Sequence, residues 1–265
     1  MVPPRAAGDE WGRPAPMATL SDLLAYTNEF LNAPAFKDYA PNGLQVQGRE
    51  ELRRIVTGVT ASRALIEAAV AAGADALLVH HGYFWRGEDP CLTGIKRERV
   101  RRLLAADVSL IAYHLPLDAH PGLGNNARLG ELLGIEVSGA LNAEGIGLHG
   151  VLPEALSAEE FSERIARVLD RVPLHLPGGP AAIRRVGWCT GAAQDYIDQA
   201  VALGLDAYVS GEVSERTTHT AAEAGIHYFA AGHHATERYG IQALGEHLAQ
   251  RFGLEHRFID SPNPV

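Results

Sequence analysis

The chain has 265 residues, enough for one large core or two modest ones. It is 46% apolar and 21% charged with a formal charge of −9, a balance that suits a globular protein and argues against a surface that coats nucleic acid, which needs clustered Lys and Arg. Two cysteines, Cys91 and Cys189, give no basis for a disulfide framework or a Cys-based zinc site, and no apolar run approaches the roughly 20 residues of a membrane span.

The first 18 residues, MVPPRAAGDEWGRPAPMA, lack the apolar stretch of a secretory signal and are rich in Pro, Gly and Ala. They read as a disordered extension, with Met17 an alternative start. Together with the expectation of reduced thiols, this places the protein in the cytoplasm.

Thr19 or Ser21 can cap a helix carrying Leu23, Leu24, Tyr26, Phe30 and Leu31 on one face, and Pro34 helps stop it. Pro41-Asn42-Gly43 is a turn before a short strand, Leu44-Gln45-Val46. Strands and helices then alternate: strand Ile55–Val59, helix Ala61–Ala72, strand Ala76–His80, helix Ile95–Ala106, strand Ser109–Tyr113, helix Asn126–Leu133. The basic run Arg97, Arg99, Arg101 and Arg102 reads as a solvated helix face.

A second run starts with strand Ile146–Leu152 and a helix opened by the capping-box-like Ser157-Ala158-Glu159-Glu160. Gly178-Gly179-Pro180 is a turn or loop. Strand Arg185–Cys189, helix Ala193–Leu203, strand Ala207–Ser210, helix Glu215–Ala224, strand Ile226–Ala230, a helix from about His234 to Arg251 and strand Arg257–Ile259 follow. The alternation predicts a layered α/β protein with helices on the sheet faces. The two runs share an element order, so we expect two similar α/β lobes, each with a mixed sheet: the first from 19–126 plus 236–265, the second from 127–235.

Metal-ligand residue types stand just after three of these strands. His80 and His81 close the first apolar run, His114 and Asp118 follow the strand 109–113, and His233, His234 and Glu237 follow the strand 226–230. In open α/β sheets, ligands bind outside the carboxyl ends of the strands. Each group has a plain alternative. His233 and Glu237 are four apart on one helix face, which suits a metal, but a helix-start His and a surface Glu paired with Arg238 would look the same. His80-His81 could be core histidines; Trp85 and Phe84 would shield a site there. Pro116 stiffens an extended exit towards Asp118, which could also be a turn former. Jointly the groups exceed what one four-coordinate ion needs. Two ions with a carboxylate between them account for the surplus, and two-metal sites serve hydrolysis by activating water and clamping the reacting oxygens.

Five segments, PNGLQVQG (41–48), VHHGYFW (79–85), YHLPLDAHPGLGNNARL (113–129), SGEVSERTTH (210–219) and GHHATERYG (232–240), resemble the Nif-three-like dinuclear metal family, also called GTP cyclohydrolase I type 2-like. The resemblance runs from about Leu20 to Ile259, in the short form of the family. It implies His80, His81, Asp118, His233 and Glu237 as metal ligands, with Glu237 bridging, and His114 as a further ligand or a partner of one. It implies metals in a cleft between the lobes and a toroidal homohexamer. Glu212, after strand 207–210, is the candidate catalytic residue, orienting water or acting as a base; an acid at a helix N-terminus is the plain alternative. His120 and His219 are weaker candidates within the motifs. His149, His175, His227, His247 and His256 read as structural or surface groups, and Asn125 and Asn126 as loop residues able to bond substrate.

The cofactors expected are two divalent ions per subunit, with Zn, Fe, Mn, Co and Ni all compatible with the donors. The leading function is a metal-dependent hydrolase, with GTP opened at the purine C8 and formate released if the resemblance extends to substrate. No phosphate-binding loop of the Gly-x4-Gly-Lys type is present, so a nucleotide would bind in another way. The competing readings are a metal-handling or metal-insertion protein without turnover, and a regulatory or DNA-associated ring, which the charge of −9 disfavours.

Overall fold

Thr19 starts the first helix: its hydroxyl accepts a hydrogen bond from the Asp22 amide at 3.0 Å, satisfying one of the amides that a helix start leaves free. The computed structural model describes residues 18–265, so the extension expected over 1–18 lies, apart from Ala18, outside the described residues, and so does the alternative start at Met17.

In chain order the elements are β1 (Ala18–Thr19), α1 (Leu20–Phe30), β2 (Gly43–Val46), β3 (Glu51–Leu52), β4 (Arg54–Thr60), α2 (Arg63–Ala71), β5 (Ala76–His81), α3 (Gly94–Ala106), β6 (Ser109–Ala112), α4 (Leu115–Ala119) and α5 (Asn125–Leu133). They continue as β7 (Glu136–Ala140), β8 (Leu148–Leu156), α6 (Ala158–Leu169), β9 (Leu174–Leu176), β10 (Ile183–Cys189), α7 (Ile197–Ala202), β11 (Ala207–Ser210), α8 (Glu215–Ala224), β12 (His227–Ala230), α9 (His233–Phe252) and β13 (Glu255–Phe258).

Two mixed sheets organise the described residues. The five-stranded sheet has the order β13-β4-β5-β6-β2, parallel except for β2. The six-stranded sheet has the order β7-β8-β10-β11-β12-β9, with β10, β11 and β12 parallel. Side chains alternate between two covered faces in both. In the first sheet Ile55, Leu78 and Ile111 pack with Leu23 of α1 and Ile241 and Leu244 of α9, while Val56, Leu77 and Leu110 pack with Leu65 of α2 and Leu103 of α3. In the second, Val186, Val209 and Phe229 pack with Leu129 of α5 and Phe161 of α6, while Tyr208 and Tyr228 pack with Ile197 of α7 and Ala221 of α8. Near-continuous apolar runs such as Ala76–Val79 follow from burial on both faces. Each lobe is thus helices, sheet, helices, as the alternating pattern predicts.

Positions 126 and 235, where the sequence suggested the lobes divide, lie inside α5 and α9, which pack against each other. Helix α9 leaves β12 of the second sheet and lays its later turns on the first. The capping box at Ser157 forms as expected, with Glu160 bonding back to the Ser157 amide at 2.7 Å.

Several local features differ from the sequence reading. The chain after His114 is not extended: residues Leu115–Ala119 form a short helix. Pro116 is accommodated at its second position, where no helix carbonyl awaits its missing N–H. Asn125 and Asn126 open α5 and are buried, rather than lying in a loop. The helix expected over 193–203 begins as a tight turn at Gln194–Tyr196 before α7. Strands β7 and β9 were not anticipated; β9 has three residues and β7 is an edge strand with mostly exposed side chains, so neither shows an alternation to read. Among the described residues no helix is long and apolar enough to cross a membrane.

Candidate metal centre

Strands β4, β5 and β6 are parallel, so their carboxyl ends lie on one side of the first sheet. The carboxyl ends of β10, β11 and β12 do the same in the second. His80 and His81 end β5, His114 follows β6 and caps α4, and Asp118 sits within α4. His233 is the first residue of α9, and Glu237 is one turn on. These six residues converge. The groups His80–His81–His114, His81–His233–Glu237 and His80–Asp118–Glu237 each present one ligand atom apiece, all within 4.8 Å of one another.

Glu237 is the centre of the arrangement. Its carboxylate lies 3.5 Å from His80 Nε2, 3.3 Å from His81 Nε2 and 3.2 Å from His233 Nε2. Asp118 lies 3.5 Å from His80 Nε2. The partners behind the rings define their tautomers. His80 Nδ1 donates to the Tyr113 carbonyl at 2.9 Å, and His233 Nδ1 donates to Glu212 Oε1 at 2.7 Å. A carbonyl and a carboxylate only accept, so Nδ1 carries the proton and Nε2 faces the cluster. His81 Nδ1 bonds the Thr60 hydroxyl at 3.1 Å. Asp118 Oδ1 accepts from Asn125 Nδ2 at 2.9 Å and from the Thr190 hydroxyl at 3.3 Å.

The electrostatics favour positive charge beside the two carboxylates. Burial opposes charge on His80, yet the carboxylates of Asp118 and Glu237 outweigh it and lift the imidazole to about 9. His233 likewise rises to about 9 against burial, through Glu237 and Glu212. Burial and the neighbouring imidazoles press His81 down to about 3, although Glu237 pulls the other way. Burial disfavours the charge of Glu237, but the imidazoles of His81 and His80 hold its pKa well below the usual carboxylate range. Burial raises Asp118. Within the cluster two buried atoms, His80 Nε2 and Glu237 Oε2, make no well-formed hydrogen bond. Buried donors and acceptors are normally satisfied, so orphans at the centre of a His/carboxylate cluster fit a cation.

A cavity of about 630 Å³ opens on the cluster, lined from the first lobe by Tyr39, His81, Trp85 and His114 and from the second by Thr190, Ala193 and Tyr196. Glu212 is not among its lining residues; with His234 it borders a smaller pocket of about 240 Å³ that shares His81 and His233 with the larger one.

Other candidates lie elsewhere. His234 turns away to Asp260 at 2.7 Å, and Arg238 pairs with Asp260 rather than Glu237. His219 is exposed and pairs with Glu215, and His120 stacks on Phe30. His247 bonds Tyr26, His256 bonds Thr57, and His227 bonds His175 and the Pro180 carbonyl, so these imidazoles serve packing. His149 lies in β8. Asp38, Thr60, Thr190 and Gly191 were not singled out by the sequence. They are single residues far along the chain from the site residues they adjoin, and no spacing rule marks them.

A mixed α/β protein with a buried cluster of histidines and carboxylates able to hold metal ions is the class these observations define. The chain belongs to the Duf34/NIF3 (NGG1p interacting factor 3) family, whose model matches residues 18–264. A Pseudomonas aeruginosa protein named GTP cyclohydrolase 1 type 2 homolog is 56% identical over 249 residues, spanning 93% of this chain and 98% of the relative. A protein of the same name from Allochromatium vinosum is 57% identical over 252 residues, spanning 95% and 99%. The solved structure of protein ybgI, described as of unknown function, superposes with a TM-score of 0.91 at 51% identity, covering 94% of this chain and 100% of that one.

Proposed function

We propose that this chain binds two divalent metal ions and is a metal-dependent hydrolase. The observation that carries the reading is the pair of orphaned buried atoms, His80 Nε2 and Glu237 Oε2, within a set of converging nitrogen and oxygen donors. His80, His81, Asp118, His233 and Glu237 would hold the ions, with Glu237, shared by two of the donor groups, between them. Bound ions of this kind supply Lewis acidity and an activated water at neutral pH.

The chain's own groups do the rest. The Tyr113 carbonyl, Thr60 and Glu212 orient the imidazoles, and Asn125 and Thr190 fix Asp118. Such outer partners set ligand direction and basicity. The adjoining cavity is of the size that takes a small molecule. The name shared by the relatives supports GTP as the first substrate to try, with hydrolytic opening at C8 and release of formate.

The test is metal content per chain in protein purified without added metal, followed by a GTP assay with formate detection. About two ions with formate release is the expected result. Two ions without turnover would move the reading to another hydrolytic substrate or to metal handling. No metal, and no uptake on titration, would overturn it.

A further inference from the structure

We propose that His114, oriented by the buried carboxylate of Asp38, is the proton-transferring group of this site and not a metal ligand. The proposal rests on the metal-dependent hydrolase reading and assigns a role within it.

The contacts of His114 set it apart from the other imidazoles. His80, His81 and His233 each lie within 3.5 Å of Glu237 through Nε2. No such approach to Glu237 is made by His114, whose ion pair, like that of His233 to Glu212, runs through Nδ1 to a carboxylate, here Asp38 at 2.7 Å; its remaining ring nitrogen lies at the edge of the cluster, near His80 and His81. Its ring stands 5.1 Å from His80 and 5.8 Å from His81, on the cavity side. The edge of Trp85 meets it at 5.0 Å.

Asp38 is built to hold this ring. Its side chain is 3% exposed. Besides His114 it accepts from the Leu115 amide at 2.9 Å, from Asn42 Nδ2 at 2.8 Å and from its neighbour Tyr39's amide at 2.6 Å. Asn42 Oδ1 in turn accepts from the His114 amide at 2.8 Å. Asp38 and Asn42 therefore grip both backbone and ring at the exit of β6. A carboxylate only accepts, so Nδ1 carries the proton and Nε2 offers a lone pair, with a group behind it that stabilises the imidazolium. That is the arrangement by which an Asp–His pair moves protons in hydrolases.

The step balances. Nε2 takes a proton from the attacking water as its oxygen bonds to the electrophilic carbon, then delivers that proton to the leaving nitrogen. Asp38 stays ionised throughout and is a positioning residue. Glu212 holds His233 as Asp38 holds His114 and borders the smaller pocket; the two histidines differ in that His233 Nε2 stands 3.2 Å from Glu237.

The experiment treats the full chain, metal-free and zinc-loaded, with diethylpyrocarbonate, which acylates an open imidazole nitrogen, and maps the products by peptide mass. The expected result is that loading protects His81 and His233 at least about tenfold while His114 reacts at an unchanged rate, because the structure leaves only its Nε2 free. Protection of His114 in parallel with His81 would make it a ligand and overturn the proposal. No reaction at His114 in either state would also overturn it, since Nε2 would then not face the cavity. Failure to take up zinc at all would instead remove the hydrolase reading, and the dyad with it.

Two variants complete the test. His114→Gln should keep the full metal complement, whereas His233→Gln should not. Asp38→Asn should shift the tautomer of His114, read from its ring ¹⁵N shifts in the zinc-loaded protein, and Asp38→Glu should restore it. An unchanged tautomer in Asp38→Asn would exclude Asp38 as the orienting group.

Discussion

Gly191 stands against Glu237: a methyl group built on Gly191 would overlap Glu237 Oε1 and come within 3.2 Å of His233 Nε2. The residue also has φ +69°, and its carbonyl accepts from the Gly211 amide at 2.9 Å, so the loop after β10 cannot back away. Only hydrogen fits there.

Gly191→Ala is therefore expected to act on both backbone and site. The left-handed conformation costs about 1–2 kcal/mol with a Cβ, and the methyl displaces the central carboxylate. The variant should fold with a lowered Tm and bind metal at least about tenfold more weakly, since outer contacts of this kind are worth 10–100-fold in affinity. Calorimetric metal titration checks it; wild-type affinity would show that Glu237 can move aside.

Glu237→Gln keeps the shape of the side chain but removes the charge shared by the imidazoles. It should lose both ions while circular dichroism stays native. Two ions retained per chain would refute the bridging role. His247→Ala is the control: His247 stacks on Phe30 at 4.3 Å and bonds Tyr26 at 2.7 Å, so stability should fall by about 1 kcal/mol with metal content unchanged.

Asn125 links the two faces of the site. Its Nδ2 supports Asp118 and its Oδ1 accepts the Gly240 amide at 3.1 Å, within α9. Asn125→Ala removes the bond to Asp118 and the added acceptor at the Gly240 amide, which keeps its partner within α9, at about 0.5–1.5 kcal/mol for each bond, and frees Asp118 to rotate. Denaturant unfolding and metal affinity should both decline; a change in stability with affinity intact would mean that Thr190 alone holds the carboxylate.

His256 predicts a pH effect remote from the cluster. Burial lowers its pKa from 6.5 to about 4, and its Nε2 bonds Thr57 Oγ1 at 2.8 Å. The unfolded chain binds this proton more readily than the folded one, so stability is fully present above 6.5 and is lost as pH falls from there towards about 4. Replacement by Gln should flatten that part of the Tm–pH curve relative to the unmodified chain; parallel curves would count against a buried neutral imidazole.

Strands and helices are legible along the chain wherever burial imposes a pattern on them: the apolar runs at Ala76–Val79 and Ala207–Val209, the capped helix at Ser157. The sequence by itself also carried the donors His80, His81, His114, Asp118, His233 and Glu237, because each stands at or near a strand exit, where parallel sheets place their ligands. What brings those donors together and orients them depends on tertiary packing. Asp38 reaches His114 across 76 residues, and Gly191 approaches Glu237 because the loops after β10 and β12 leave the same end of one sheet and are tied through Gly211. A hydrogen bond between distant segments leaves no periodicity in either one, since its geometry is set by the packing of whole sheets and not by neighbours along the chain.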